Sequence, residues 1–400
     1  MNAPFSALEA KPEDALLKIM AAYREDPRPE KIDLGVGVYR DANGDTPVLR
    51  AVRAAERRLA ENADTKSYEG LFGNKAFCAA VERLVFGAND GAGRRVASAS
   101  CGGSGAVCLA LSLVKRARSD ATAWISDPTW PNHPHIARSV GLNVATYAYR
   151  RGESGVDVDA ILDALRDARA GDAFVVQGPC HNPTGSDFGG DAWRALADAC
   201  ETRGLVMVID TAYHGRGVSL EDDAAGVAAA FERTGTAMLT YSCSKNFGLY
   251  RDRSGCLIVQ APDAGQASAI ASTIADVNRA MISMPPAHGP AIVETILADE
   301  ALRADWVGEL SEMRERIRAV RRRFAGALAA RTNDGALARI ADEAGMFALL
   351  PFGQGAAARL RAERAVYAPD SGRVNLAGMR EDNAEEVAAL IAPALRSAAA

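Results

Sequence analysis

Lysine is scarce in this chain. Seven of its 46 basic residues are lysines, at 11, 18, 31, 66, 75, 115 and 245, so 39 are arginines, and Lys245 is the only lysine after Lys115. Surface charge is therefore carried mostly by arginine. A guanidinium effectively never loses its proton, whereas an amine deprotonates when desolvated or set near other cations and can then attack a carbonyl. The seven cysteines, at 78, 101, 108, 180, 200, 243 and 256, are odd in number and occur singly, with neither C-x-x-C pairs nor a regular framework, which suits a reducing cytoplasm. No segment approaches eighteen uninterrupted apolar residues, and Met1-Asn-Ala-Pro-Phe-Ser-Ala-Leu8 has no basic leader, so neither a membrane span nor export is expected. Repeats and low-complexity linkers are missing too. With a net charge of -5 and a pI near 5.7 there is no basic field for nucleic acid, and a small-molecule partner is expected.

What is present is a chain of 400 residues, 48% hydrophobic and 24% charged, enough for a sizeable core and more than one domain. Residues 1–46 open on an amphipathic piece, followed by Ile32-Asp-Leu-Gly-Val-Gly-Val-Tyr39, whose glycines suit either a kinked strand or a backbone that something approaches closely. Val48, Val52, Ala55 and Leu59 then recur at helical spacing, and Lys66 to Gly73 is a glycine-rich loop carrying Tyr68. The middle alternates strand and helix. Short apolar runs at 96–100, 123–126, 144–147, 173–176, 205–209, 237–241 and 256–259 predict a mainly parallel sheet buried on both faces, with amphipathic stretches such as Asp191 to Thr202 covering it. Near residue 305 one long helix begins, with Met313, Ile317, Val320, Phe324 and Leu328 as its apolar stripe and arginines on its other faces. Strands at 345–350 and 373–376 and a helix at 384–395 follow, and the alanine-rich end at 397–400 is expected to fray.

Several stretches could carry chemistry. Lys245 follows the apolar run Ala237 to Tyr241 and the hydroxyls of Ser242 and Ser244, and Arg253 lies eight residues on. Taken alone, that segment suits a solvated strand-end lysine better than a catalytic one. Cys101-Gly102-Gly103-Ser104-Gly105 joins a strand to a helix expected near Ala106, a place where exposed N–H groups bind phosphate. It lacks the third glycine of a dinucleotide fingerprint. Trp130, on a loop between prolines, could offer a flat face to a heteroaromatic ring or simply pack. His133 and His135 could face one way, but with no carboxylate or cysteine cluster beside them no metal is expected. Asn182-Pro183 makes a tight turn at a strand's carboxyl end, and Asp210, after five apolar residues, needs a cation or a strong donor. An amine, a phosphate cradle, an aromatic face, an amide turn and a buried carboxylate are the five chemistries that pyridoxal phosphate requires.

The motifs Asp127-Pro-Thr-Trp-Pro-Asn-His133, His181-Asn-Pro-Thr-Gly185, Asp210-Thr-Ala-Tyr213, Ser242-Cys-Ser-Lys-Asn-Phe-Gly-Leu-Tyr250, Pro285-Pro-Ala-His-Gly289 and Ser371-Gly-Arg-Val-Asn-Leu-Ala-Gly378 resemble those of class I aspartate and aromatic-amino-acid aminotransferases, of fold type I, in the family's order from about 30 to 380. The resemblance implies an α/β fold with a mainly parallel seven-stranded sheet in a large domain at 47–312, and a smaller α+β domain formed by 313–400 with the segment 1–46. It implies pyridoxal 5′-phosphate in Schiff-base linkage to Lys245, Asp210 on the ring N–H, Asn182 and Tyr213 on the phenolic oxygen, Trp130 and Ala212 on the two ring faces, and His133 behind Asp210. The phosphate would lie among Gly103, Ser104, Ser242, Ser244 and Arg253, with Tyr68 donated by a second subunit. Arg373 would grip the substrate α-carboxylate beside Gly37, with Trp130 and Asn182 also facing the substrate. Arg279 would cross the interface of a homodimer to bind a distal acid. Gln177, Ser104 and Met284 stand where the aspartate branch often has His, Thr and Asn. These departures favour an enzyme that accepts aromatic as well as acidic amino acids and passes the amino group to 2-oxoglutarate by ping-pong kinetics. A strict aspartate enzyme, or a fold type I lyase or decarboxylase, is the alternative.

Overall fold

The computed structural model describes residues 5–6, 8–10, 13–89, 91–150 and 155–395. The expected fraying at 397–400 lies outside them. Eleven strands run in chain order: β1 (Ile32–Asp33), β2 (Arg95–Cys101), β3 (Thr122–Asp127), β4 (Asn143–Ala148), β5 (Ala173–Gln177), β6 (Val206–Thr211), β7 (Ala237–Ser242), β8 (Ser254–Gln260), β9 (Phe347–Leu349), β10 (Val366–Tyr367) and β11 (Arg373–Asn375). Seven form one sheet in the order β2-β8-β7-β6-β5-β3-β4, parallel throughout except that β8 is antiparallel to both neighbours. All seven expected strands are there. Every residue of β5, β7 and β8 is buried, which is why these segments read as continuous apolar runs.

Helices cover the sheet on both sides. The helix Gly190–Arg203 matches its expected span and stops where Gly204, at φ 66, takes the left-handed conformation. The helix Gly102–Ala117 starts earlier than the glycines suggested, directly at the end of β2. Gly102 has φ 66, and a Cβ on Gly255 of β8 would sit 2.5 Å from the Gly102 carbonyl carbon, so these glycines serve close packing of helix on sheet instead of a loose loop. Of the Ile32–Tyr39 stretch only the two residues of β1 are strand. Beyond it the chain is held by Asn375, whose side-chain amide donates to the carbonyls of Val36 and Val38 at 2.5 and 2.8 Å.

The long helix runs over Glu300–Thr332, 33 residues, or roughly 50 Å at about 1.5 Å per residue. Trp306, Leu310, Met313 and Ile317 pack into the apolar core against one face of the sheet, whereas Val320, Phe324, Ala325 and Leu328 join a second core with Leu34 and residues between 337 and 394. All five stripe residues are buried. The arginines do not all face outward: Arg321 is 1% exposed, because the turn before β9 lays its carbonyls over that face of the helix. The C-terminal segment is a helix only over Ala384–Ile391, followed by a tighter turn at Ala392–Ala394 containing Pro393. Among the described residues, no helix is long and apolar enough to cross a membrane.

Candidate active site

In an open parallel sheet, loops at the carboxyl ends of the strands converge on a crevice. Here β2 delivers Gly103 and Ser104, β3 Trp130, β5 Gln177 and Asn182, β6 Asp210, Ala212 and Tyr213, and β7 Ser242, Ser244 and Lys245, all lining one cavity. Because β8 runs the other way, its start brings Arg253 to the same edge. Eleven predicted residues therefore share one wall with Gln177.

Burial pushes the Lys245 amine down from 10.5 to about 8. Asp210 opposes that shift, and Arg253 and Arg373 add to it. Asp210 is buried, with Oδ2 lying 3.0 Å from His133 Nε2 and Oδ1 accepting from the Thr240 hydroxyl at 2.9 Å. His133 Nδ1 lies in turn 2.8 Å from the Thr129 hydroxyl. His133 and His135 do not face one way, since they lie on the helix Asn132–Ser139, where residues two apart diverge, and His135 is exposed.

Asn182 Nδ2 donates to the Tyr213 hydroxyl at 3.4 Å, and Asn182 Oδ1 is buried without a hydrogen-bond partner. Burial raises the Tyr213 phenol well above its ordinary value. Gln177 clamps the peptide of Asn182 from both sides: Nε2 donates to the Asn182 carbonyl at 2.9 Å, and Oε1 accepts from its N–H at 3.0 Å. At the start of the helix Gly102–Ala117, a Cβ on Gly103 would meet Ser242 Cβ at 2.8 Å, and one on Gly102 would meet Arg253 Nη2 at 2.5 Å. Only glycine at these positions leaves room for the Ser242 side chain and the Arg253 guanidinium beside the helix start, and the result is a cationic cradle at a helix N-terminus.

Arg373 is buried close to this wall. Its Nη2 donates to the Gly35 carbonyl at 2.7 Å, and its guanidinium lies 4.4 Å from the centre of the Phe347 ring, which also packs edge-on to Tyr213. At Gly37 it is Phe347 that approaches closely: a Cβ there would lie 3.0 Å from Phe347 Cζ. Two predicted residues are not brought in. Tyr68 is 90% exposed within a stretch exposed from 61 to 70, and Arg279, at the end of the helix Ala264–Met281, is exposed as well. Sequence reasoning missed Thr240, Phe347 and the clamping role of Gln177. Thr240 had one signal, as the polar residue in the β7 run, whereas nothing local marks Phe347 within Gly345 to Leu350. Among the described residues, no group of three or more His, Cys, Asp or Glu could hold a metal ion.

Comparison with known proteins gives the family. The family profile for class I and II aminotransferases matches residues 29–391. A tyrosine aminotransferase of Rhizobium meliloti (strain 1021) is 41% identical, over 96% of this chain and 98% of its own. An aspartate aminotransferase of Escherichia coli (strain K12) is 39% identical, over 95% and 97%. The crystal structure of an aromatic-amino-acid aminotransferase from Burkholderia pseudomallei, covalently bound to pyridoxal phosphate, superimposes with a TM-score of 0.94 at 36% identity, covering 99% of this chain and 100% of that one. The chain belongs to the class I and II aminotransferase family and is an aminotransferase.

Proposed function

We propose that this enzyme moves the amino group of an aromatic or acidic L-amino acid to 2-oxoglutarate with pyridoxal 5′-phosphate as cofactor, in the cytoplasm and as a homodimer. The observation that carries this is Lys245, a buried amine held at about 8 and facing a carboxylate, an amide, a phenol and a cationic cradle in one cavity. The residues fit the cofactor. Arg253 and the N–H groups at Gly103 and Ser104 form an anion site between the hydroxyls of Ser242 and Ser244. The buried amide of Asn182 keeps hydrogen-bonding capacity unspent, and Asp210 presents a carboxylate to the same space. Relatives named for tyrosine, aromatic-amino-acid and aspartate transfer support the donor classes. The seven unpaired thiols suit a reducing compartment.

When bound, the cofactor supplies an electron sink for the charge that develops at the substrate Cα. In this reading Asp210, oriented by His133 and Thr240, would hold the ring nitrogen protonated. Lys245 Nζ would move the proton from the substrate Cα to the cofactor's C4′ and back again in the reverse half-reaction, which suits an amine titrating near working pH. Trp130 and Ala212 would flank the ring, Tyr213 and Asn182 would hold its phenolic oxygen, and Arg373 would orient the α-carboxylate so that the Cα–H faces Lys245. We place the division between a large domain at 47–312 and a smaller one at 313–400 plus 1–46 along the long helix, whose two halves serve different cores. An amino-donor panel with 2-oxoglutarate tests the proposal. Acceptor-dependent 2-oxo acid should form from aspartate and from at least one aromatic donor with ping-pong kinetics, and Lys245→Arg, which keeps charge without a deprotonatable amine, should lose the visible band and nearly all turnover. Product release independent of an acceptor would point to a lyase instead.

A further inference from the structure

Arg216 lies just behind the catalytic lysine and is 2% exposed. Its Nη2 donates to the main-chain carbonyl of Lys245 at 2.6 Å, while Nε and Nη1 have no hydrogen-bond partner among the described residues. A carbonyl can be served by water or by a neutral amide. Burying a guanidinium for one acceptor is an expensive alternative, and it calls for a second task.

The loop that carries Arg216 is built to hold it still. The Asp223 carboxylate accepts the N–H groups of Gly215, Gly217 and Val218 at 2.8, 2.9 and 2.8 Å. From the long helix, Arg314 and Arg318 donate to the carbonyls of Gly215 and Gly217. So fixed, the Arg216 guanidinium carbon lies 5.2 Å from the centre of the Tyr39 ring. Tyr39 is itself restrained: its N–H donates to the Tyr250 hydroxyl at 3.0 Å, and Arg316 packs on its ring at 5.2 Å while donating to the carbonyls of Asp41 and Met379. Tyr39 belongs to the same short strip as Gly35, whose carbonyl receives Arg373.

We infer that Arg216 is a positioning residue for the reaction: it ties the main chain of Lys245 to the Tyr39 strip, so that the amine and the carboxylate-binding Arg373 keep one geometry when substrate is bound. The inference rests on the roles given above to Lys245 and Arg373. Every amino donor carries an α-carboxylate and a Cα–H, so a fault in this tie affects acidic and aromatic donors alike, and it lowers kcat as well as raising KM.

The test uses three variants of the full-length holoenzyme. Arg216→Met keeps side-chain length and removes every donor; it should lower kcat/KM at least tenfold for aspartate and phenylalanine equally, and shift the midpoint of the pH titration of the cofactor's visible band. Arg216→Lys keeps a cation and a donor and should recover part of both. Tyr39→Leu removes the ring alone and should change kcat/KM in the same direction. Wild-type kcat/KM and band midpoint in Arg216→Met, a loss confined to one donor class, or no recovery in Arg216→Lys would overturn the inference. Should Arg216→Met not fold, wild-type values in both other variants would overturn it equally. A wild-type enzyme with neither visible band nor transamination would instead overturn the assignment of Lys245, and the inference with it.

Discussion

A lysine that must be neutral to react has to be held in surroundings that penalise its charge, and at Lys245 that penalty is large. At about 1.4 kcal/mol per pH unit, holding the amine at about 8 instead of 10.5 costs the cofactor-free fold on the order of 3 kcal/mol. The sign follows from proton binding. Between about 8 and 10.5 the unfolded chain holds a proton that the folded one has lost, so this site favours folding more as pH rises through that window. Cofactor-free Lys245→Met should therefore be more stable than wild type at pH 7 by that order, and its advantage should shrink as pH climbs from about 8 to about 10.5. Urea unfolding of both proteins across that range measures it, and a difference that stays constant would mean that the amine is not perturbed. The scarcity of lysine drew attention to this residue before any fold was known, but its own segment suited a solvated strand-end lysine, and only the other motifs taken together pointed it towards chemistry. Gln177 was visible only as a departure from a motif, since its task, bonding the Asn182 peptide, depends on a turn that brings residues five apart back together.

Elements were legible where one physical signal dominated. Strands buried on both faces are short apolar runs, and all seven were read at the right places. The start of the helix Gly102–Ala117 was not, because glycine argues for a loop until the close approach of β8 and Arg253 is known. Arg321 misled in the same way. It sits among arginines in a solvent-like pattern, yet it donates to the carbonyls of Ile340, Ala344, Gly345 and Phe347 at 3.1, 3.1, 2.8 and 2.7 Å, with a Glu343 oxygen at 3.5 Å. One guanidinium thus organises the turn into β9 and with it Phe347, the ring under Arg373. Replacing it by methionine would leave those carbonyls without their buried donor and Glu343 with only Arg150, Arg339 and Ser186 beside it. Arg321→Met should destabilise the protein by about 3–5 kcal/mol, the usual cost of breaking a buried pair, as read from a shifted denaturant midpoint. A loss below about 1 kcal/mol would show that water takes over the arginine's bonds.

At the scale of the whole molecule, two residues singled out by resemblance do not line the cavity of their own chain. Tyr68 is 90% exposed and Arg279 is exposed, while Met281 and Ile282 nearby present apolar surface at 47% and 38% exposure. Lysine scarcity, strand periodicity and buried carboxylates are properties of one chain, so no such signal could place these two residues, and the role proposed for them needs a second copy. If Arg279 of one subunit binds the distal acid of a substrate held by Lys245 of the other, Arg279→Ala should penalise aspartate and glutamate far more than phenylalanine. Truncating one partner of a buried charge pair costs about 2–5 kcal/mol, so the selectivity change should be at least tenfold. Arg373→Ala, which touches the carboxylate common to all donors, should weaken every one of them. Mixing Arg279→Ala subunits with Lys245→Ala subunits supplies the decisive case, because a heterodimer then holds one site with both residues intact. Aspartate turnover should return after subunit exchange, to at most about one working site in each mixed dimer. Confirmed exchange without recovery would mean that Arg279 serves its own chain, and the exposed stretch from 61 to 70 would then need another explanation.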